Sequence, residues 1–122
     1  LGVSVLADAL PKLRGLEELS LQDNHMGDDG IAALAKAAVV CQRLAVLHLD
    51  GNDIRSEGVE KLAEYLPSCR SMAKLHLCRN LVDARGACAL AKCMAECTAL
   101  VQLWLDRNMI SDEGVHALAG IL

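Results

Sequence analysis

Residues 16–43 read LEELSLQDNHMGDDGIAALAKAAVVCQR. Two hydrophobic periods share this short stretch. Leu19 and Leu21 alternate with Ser20, so both leucines leave a strand on the same side. From Gly30 onward, Ile31, Leu34, Ala35 and Ala38 fall at helical spacing and form one apolar stripe. A strand, a turn and a helix in 28 residues have two apolar faces and too little chain to cover them. Such a unit needs neighbours of its own kind.

The chain supplies them. Asn24, Asn52, Asn80 and Asn108 recur every 28 residues. Leu16, Leu19 and Leu21 become Leu44, Leu47 and Leu49, then Met72, Leu75 and Leu77, then Leu100, Leu103 and Leu105. Two residues after each Asn stands an aliphatic (Met26, Ile54, Val82, Ile110). Six after it stands Gly30, Gly58, Gly86 or Gly114, and ten after it Leu34, Leu62, Leu90 or Leu118. The helical stripe repeats as Val59/Leu62/Ala63/Leu66, Ala87/Leu90/Ala91/Met94 and Val115/Leu118/Ala119/Leu122. Gly2 and Leu6 keep the same register, so a leading partial copy over 1–15 precedes copies at 16–43, 44–71, 72–99 and 100–122.

This pattern resembles the leucine-rich repeat family, in its 28-residue ribonuclease-inhibitor-like class, over essentially the whole chain. The resemblance implies an α/β fold: a right-handed solenoid arc of about four and a half repeats, with a parallel sheet on the concave side and helices on the convex side. It also implies a module that binds a protein partner through the concave sheet.

The repeated polar residues have structural work to do. A buried Asn at a strand end bonds backbone groups that would otherwise go unpaired, and stacked copies form a ladder. Asp28, Ser56 and Asp112 are expected to cap helices, followed by Asp29, Glu57 and Glu113 at the positive helix end. The third copy has Ala84 and Arg85 there, so its helix start is expected to be the least stable. Pro11 and Pro67 mark helix ends. Cys41, Cys69 and Cys97 are also 28 apart and align with Leu13, which predicts a small apolar slot rather than disulfides. Cys93 is expected at a helix contact and Cys88 at a partly exposed position.

Composition narrows the function. The 122 residues contain 22 Leu and 18 Ala but no Phe, which suits thin regular layers. A net charge of −4 weighs against nucleic acid or an anionic membrane as partner. No apolar run approaches the ~20 residues of a membrane span. Reduced thiols predict a cytoplasmic setting, with the nucleus as the other reducing compartment. The apolar stretches at 1–6 and 119–122 lack the polar outer face of a solenoid cap. They predict a piece of a longer solenoid or self-association through uncapped ends.

Repeat residues are committed to folding, so recognition falls to the variable strand positions of the concave face. In cross-strand rows these are Glu18–Val46–Lys74–Gln102, Ser20–His48–His76–Trp104, Gln22–Asp50–Cys78–Asp106 and Asp23–Gly51–Arg79–Arg107. The candidate partner-binding residues are Trp104, Arg107, Asp106, His76, Arg79, His48, Asp50 and Lys74. Trp104, the single Trp, is read either as an interface hot spot or as a side chain covered by a following repeat. A charge gradient from Glu17, Glu18 and Asp23 to Lys74, Arg79 and Arg107 is suited to orienting a partner, and equally to a solvated surface. His48, His76 and Cys78 have metal-ligand types, but a flat sheet does not converge them tetrahedrally. No enclosing cleft or oxyanion hole accompanies a Cys78–His76 pair. The expectation is no enzyme, no metal and no cofactor. Besides the interaction module, two other functions fit: a GTPase-activating or other enzyme-regulating repeat domain, with Arg79 or Arg107 acting, and a structural spacer.

Overall fold

The computed structural model describes residues 2–119. The chain opens with helix α1 (Gly2–Ala9) and then alternates short strands with helices: β1 (Glu18–Ser20), α2 (Gly27–Ala38), β2 (Val46–His48), α3 (Ser56–Tyr65), β3 (Lys74–His76), α4 (Ala84–Met94), β4 (Gln102–Trp104) and α5 (Asp112–Ala119). Single 3-10 turns at Leu10–Lys12 and Leu66–Ser68 take Pro11 and Pro67, where the missing N–H costs no helical bond.

The four strands form one parallel sheet in the order β1-β2-β3-β4. The register is constant: Leu19 faces Leu47, Leu47 faces Leu75 and Leu75 faces Leu103. Each step is one 28-residue repeat, as the sequence predicts. Strands lie about 4.8 Å apart, whereas packed helices need about 8–10 Å. A stack of such coils therefore shortens on its sheet side, which becomes the concave wall.

Leucines of the middle coils fill the space between the layers. Leu47, Leu49, Leu75 and Leu77 are fully enclosed against Ile31, Leu34, Val59, Leu62 and Leu90. The outer coils have a described neighbour on one side only, so Leu19, Leu21, Leu103 and Leu105 are half-buried. Gly86 lets α4 sit close to the coil before it: a Cβ there would lie 2.7 Å from Val82 Cγ1 and 2.8 Å from Ser56 Oγ.

The Asn ladder forms. The Asn52 side-chain oxygen accepts the Asn24 N–H at 3.0 Å. Asn80 accepts the N–H groups of Asn52 and Ile54 at 2.9 and 3.1 Å. The side-chain amide of each then donates to carbonyls of its own and the preceding coil, as Asn80 does to Leu77 and Leu49.

Helix starts depart from expectation. Asp28 lies inside α2, and its carboxylate accepts the N–H of Arg55, one coil further on, at 2.7 Å. Ser56 opens α3; its hydroxyl donates to Asp83 and accepts the Gly86 N–H at 2.9 Å, again on the next coil. Asp112 opens α5. Asp28 and Ser56 staple coil to coil instead of capping their own helices. The third copy, expected to have the weakest start, has a real cap. Asp83 accepts the N–H groups of Arg85 and Gly86 at 3.0 and 3.4 Å. The Ser56 hydroxyl, together with those N–H groups, holds its carboxyl below the usual range.

The cysteine slot is apolar at Cys41 and Cys69, both buried; Cys97 is half-buried, and Leu13 is 45% exposed because α1 belongs to a partial coil. All six thiols are free. Cys93 is buried and lies 3.9 Å from the Cys97 sulfur. Cys88 is half-buried, as expected. In the last copy Val115 is exposed and Leu118 packs on the core; the side chain of Ala119, and Leu122, lie outside the described residues. The apolar stretches read as uncapped ends are described only in part, and residues 120–122 lie outside.

Candidate functional site: the ring row of the sheet wall

The strand register fixes which side chains meet on the open face of the sheet. Ser20, His48, His76 and Trp104 occupy equivalent positions on β1 to β4. Their spacing makes them a stack. The rings of His48 and His76 are 4.3 Å apart at 24°, and those of His76 and Trp104 are 3.9 Å apart at 6°. Strand separation is slightly larger than ring thickness, so flat side chains one strand apart come into contact. Among the described residues no further strand lies beyond β4, and Trp104 borders an apolar groove with Met94, Val101, Leu103 and Leu118. Trp104 is half-buried, one face covered by His76.

Glu18 holds the other end of the row. His48 Nε2 donates to its carboxylate at 2.7 Å. His76, enclosed between two rings, has its proton affinity lowered, first by burial and then by His48. Asp50 and Glu18 act in the opposite sense, and Lys74 in the same sense.

The outermost row sits at the bend out of each strand. Asp23, Gly51, Arg79 and Arg107 all have left-handed backbone, with φ of 58, 68, 54 and 59°. Arg79 reaches over Gly51 to Asp23, Nη1 to Oδ1 3.0 Å, joining the first coil to the third. Gly51 leaves room for this clamp: a Cβ there would stand 2.1 Å from Asp23 Oδ1.

The candidate residues thus separate into groups. His48, His76 and Trp104 form one continuous feature, with Lys74 exposed beside it. Asp50 is structural: its carboxylate accepts the Cys78 N–H at 2.7 Å. Arg79 is committed to Asp23. Asp106 and Arg107 are exposed, and Lys74 and Arg107 make no ion pair among the described residues. Part of the charge gradient is therefore neutralised internally, through Asp23–Arg79. Burial pushes the Cys78 thiol up. No group of three or more His, Cys, Asp or Glu among the described residues is arranged to hold a metal. No helix there is long and apolar enough to cross a membrane. Reading the sequence missed the Glu18 and Asp23 partnerships. For Asp23–Arg79 the available signal was opposite charge within one row, two strands apart; Glu18 and His48 stand in adjacent rows on neighbouring strands.

Comparison with known proteins agrees with this architecture. A family model described as Leucine Rich repeat matches residues 13–35 and 40–63. The match falls on two of the repeats, and the repeat architecture of the whole chain is consistent with that family. Among solved structures it is similar to one named Leiomodin-1 Actin-Binding Site 2, with a TM-score of 0.85 and 11% identity, covering 94% of this chain and 69% of that one. It is also similar to the tropomodulin C-terminal domain of Caenorhabditis elegans, with a TM-score of 0.76 and 16% identity, covering 100% of this chain and 92% of that one. At these identities the likeness is one of fold. No curated protein sequence matches the chain.

Proposed function

We propose that this chain is a protein-interaction module whose partner docks on the concave sheet wall, centred on the His48–His76–Trp104 row. The row is the single observation that carries the reading. Three flat rings are aligned on a rigid sheet, half-exposed, where short polar side chains would satisfy the fold equally well. Ring-rich surfaces that are already ordered lose little entropy on docking, and Trp and Arg dominate interface hot spots. Lys74, Asp106 and Arg107 flank the row as exposed charges able to set orientation. A standard interface takes about 20–30 residues a side, so this stretch of wall is part of a larger footprint. No enzymatic role is proposed: His76 is enclosed by rings and the Cys78 thiol is disfavoured as a thiolate. Free, largely buried thiols fit a cytoplasmic or nuclear setting.

The partner remains to be captured. One structural neighbour is named for an actin-binding site, which makes actin the first bait. The test is a pulldown from native cells with wild type, Trp104→Ala and Arg107→Ala, with actin assayed separately by cosedimentation. Partners lost with Trp104→Ala support the reading. The same proteins recovered by all three baits would refute docking on this wall.

A further inference from the structure

We propose that the His48–His76–Trp104 row is an acid-responsive switch that opens between its two imidazoles. For any effect on docking this rests on the reading of the wall as a binding face; the switch itself rests on the row alone. The geometry sets up a conflict between neighbours. His76 has an imidazole on one face at 4.3 Å and an indole on the other at 3.9 Å. Histidine titrates near neutrality, and two interacting imidazoles take up protons in two steps. When His48 is protonated, its charge stays bonded to Glu18 from β1. A second proton on His76 then meets a like charge across the stack and Lys74 on its own strand.

The other groups near His76 do not cancel this. Asp50, beyond β2, and Glu18 favour the charge, but each does so less than burial or His48 opposes it. Arg79, past the end of β3, is paired with Asp23. From β4, Gln102 is neutral, and Asp106 lies one row further along beside Cys78. The Trp104 face, by contrast, attracts a cation. Protonation thus weakens one contact of His76 and strengthens the other. The row parts at His48–His76 and keeps His76–Trp104, so acid changes the shape and charge of the wall at its centre without unfolding the coils.

Trp104 reports the event directly, as the only Trp in the chain. A protonated imidazole stacked on an indole quenches its fluorescence. The experiment titrates Trp104 emission from pH 8 to pH 5 in wild type, His48→Gln and His76→Gln. Far-UV circular dichroism runs in parallel, and ring-proton NOEs are recorded at both ends of the range. Wild type is expected to lose emission with a midpoint below the ordinary histidine value of about 6.5. It should also lose the His48–His76 NOE and retain the His76–Trp104 NOE. His48→Gln should move the midpoint up, and His76→Gln should abolish the step. A wild-type midpoint at or above the ordinary value would overturn the proposal. So would a step that survives His76→Gln, one that ignores His48→Gln, or one that coincides with loss of circular dichroism. The titration needs no partner, so its failure leaves the docking test standing, and failure of docking leaves the titration standing.

Discussion

Replacing Asn80 by Ala should destabilise the protein far more than the same change at Asn24, although both occupy the same repeat position. Asn80 is 4% exposed. Its side-chain oxygen accepts two buried N–H groups, those of Asn52 and Ile54, at 2.9 and 3.1 Å. Its amide donates to the carbonyls of Leu49, Leu77 and Cys78. An unsatisfied buried polar group costs about 1–3 kcal/mol. The two stranded N–H groups alone therefore cost about 2–6 kcal/mol on that scale. A small domain has only about 5–15 kcal/mol in total, so Asn80→Ala removes a large share of its stability. Asn24 stands at the exposed edge of the stack and donates only to Leu21 and Gln22. The Leu21 carbonyl keeps a second donor from Asn52, so the loss should be about 0.5–1.5 kcal/mol, one ordinary hydrogen bond. Urea titration followed by far-UV circular dichroism, with Trp104 emission as a second probe, measures both. Equal losses for the two variants would refute the ladder as the element joining coil to coil.

Gly51→Ala forces a left-handed alanine at a cost of about 1–2 kcal/mol and displaces Asp23 from Arg79, so it should destabilise the protein even in high salt. Asp83→Ala should lower the thermal midpoint while Asp83→Asn largely preserves it, because Asn caps as well as Asp. Since the folded-state pKa of Asp83 is lowered, its share of stability is full above the unfolded carboxylate value and is lost as pH falls through the folded one; Asp83→Asn should flatten that part of an acid titration of the thermal midpoint. Burial pushes the Cys69 and Cys93 thiols up to about 11 and about 12, so iodoacetamide at pH 8 should leave both unmodified in the folded protein and label both once urea unfolds it. Mass spectrometry of the alkylated chain reads this directly, and early labelling of Cys69 would contradict the packed slot.

Period explains what was legible. A 28-residue repeat states strand, turn and helix four times over, so sheet order, register and the Asn ladder follow from aligning Asn24 with Asn52, Asn80 and Asn108. The ring row was legible for the same reason: register alone puts His48, His76 and Trp104 in line. What the sequence concealed is the direction of local polar bonds. Asp28 and Ser56 look like caps to their own helices, yet their hydrogen bonds run to Arg55 and Gly86 on the following coil, 27 and 30 residues away. A cap rule looks a few residues ahead, whereas a solenoid places the next coil at equal reach. Asp83 was passed over because it precedes the aligned cap position by one residue. The Asp23–Arg79 clamp skips a whole coil over Gly51, and only the absence of a side chain there allows it.

The account depends on coils stacked in parallel at one fixed offset. Backbone NOEs of uniformly labelled protein test that most directly. Contacts linking Leu19 to Leu47, Leu47 to Leu75 and Leu75 to Leu103, in the staggered pattern of parallel strands, are predicted. Close Hα–Hα contacts of antiparallel pairing, or contacts at any other offset, would contradict it and dissolve the ring row with it.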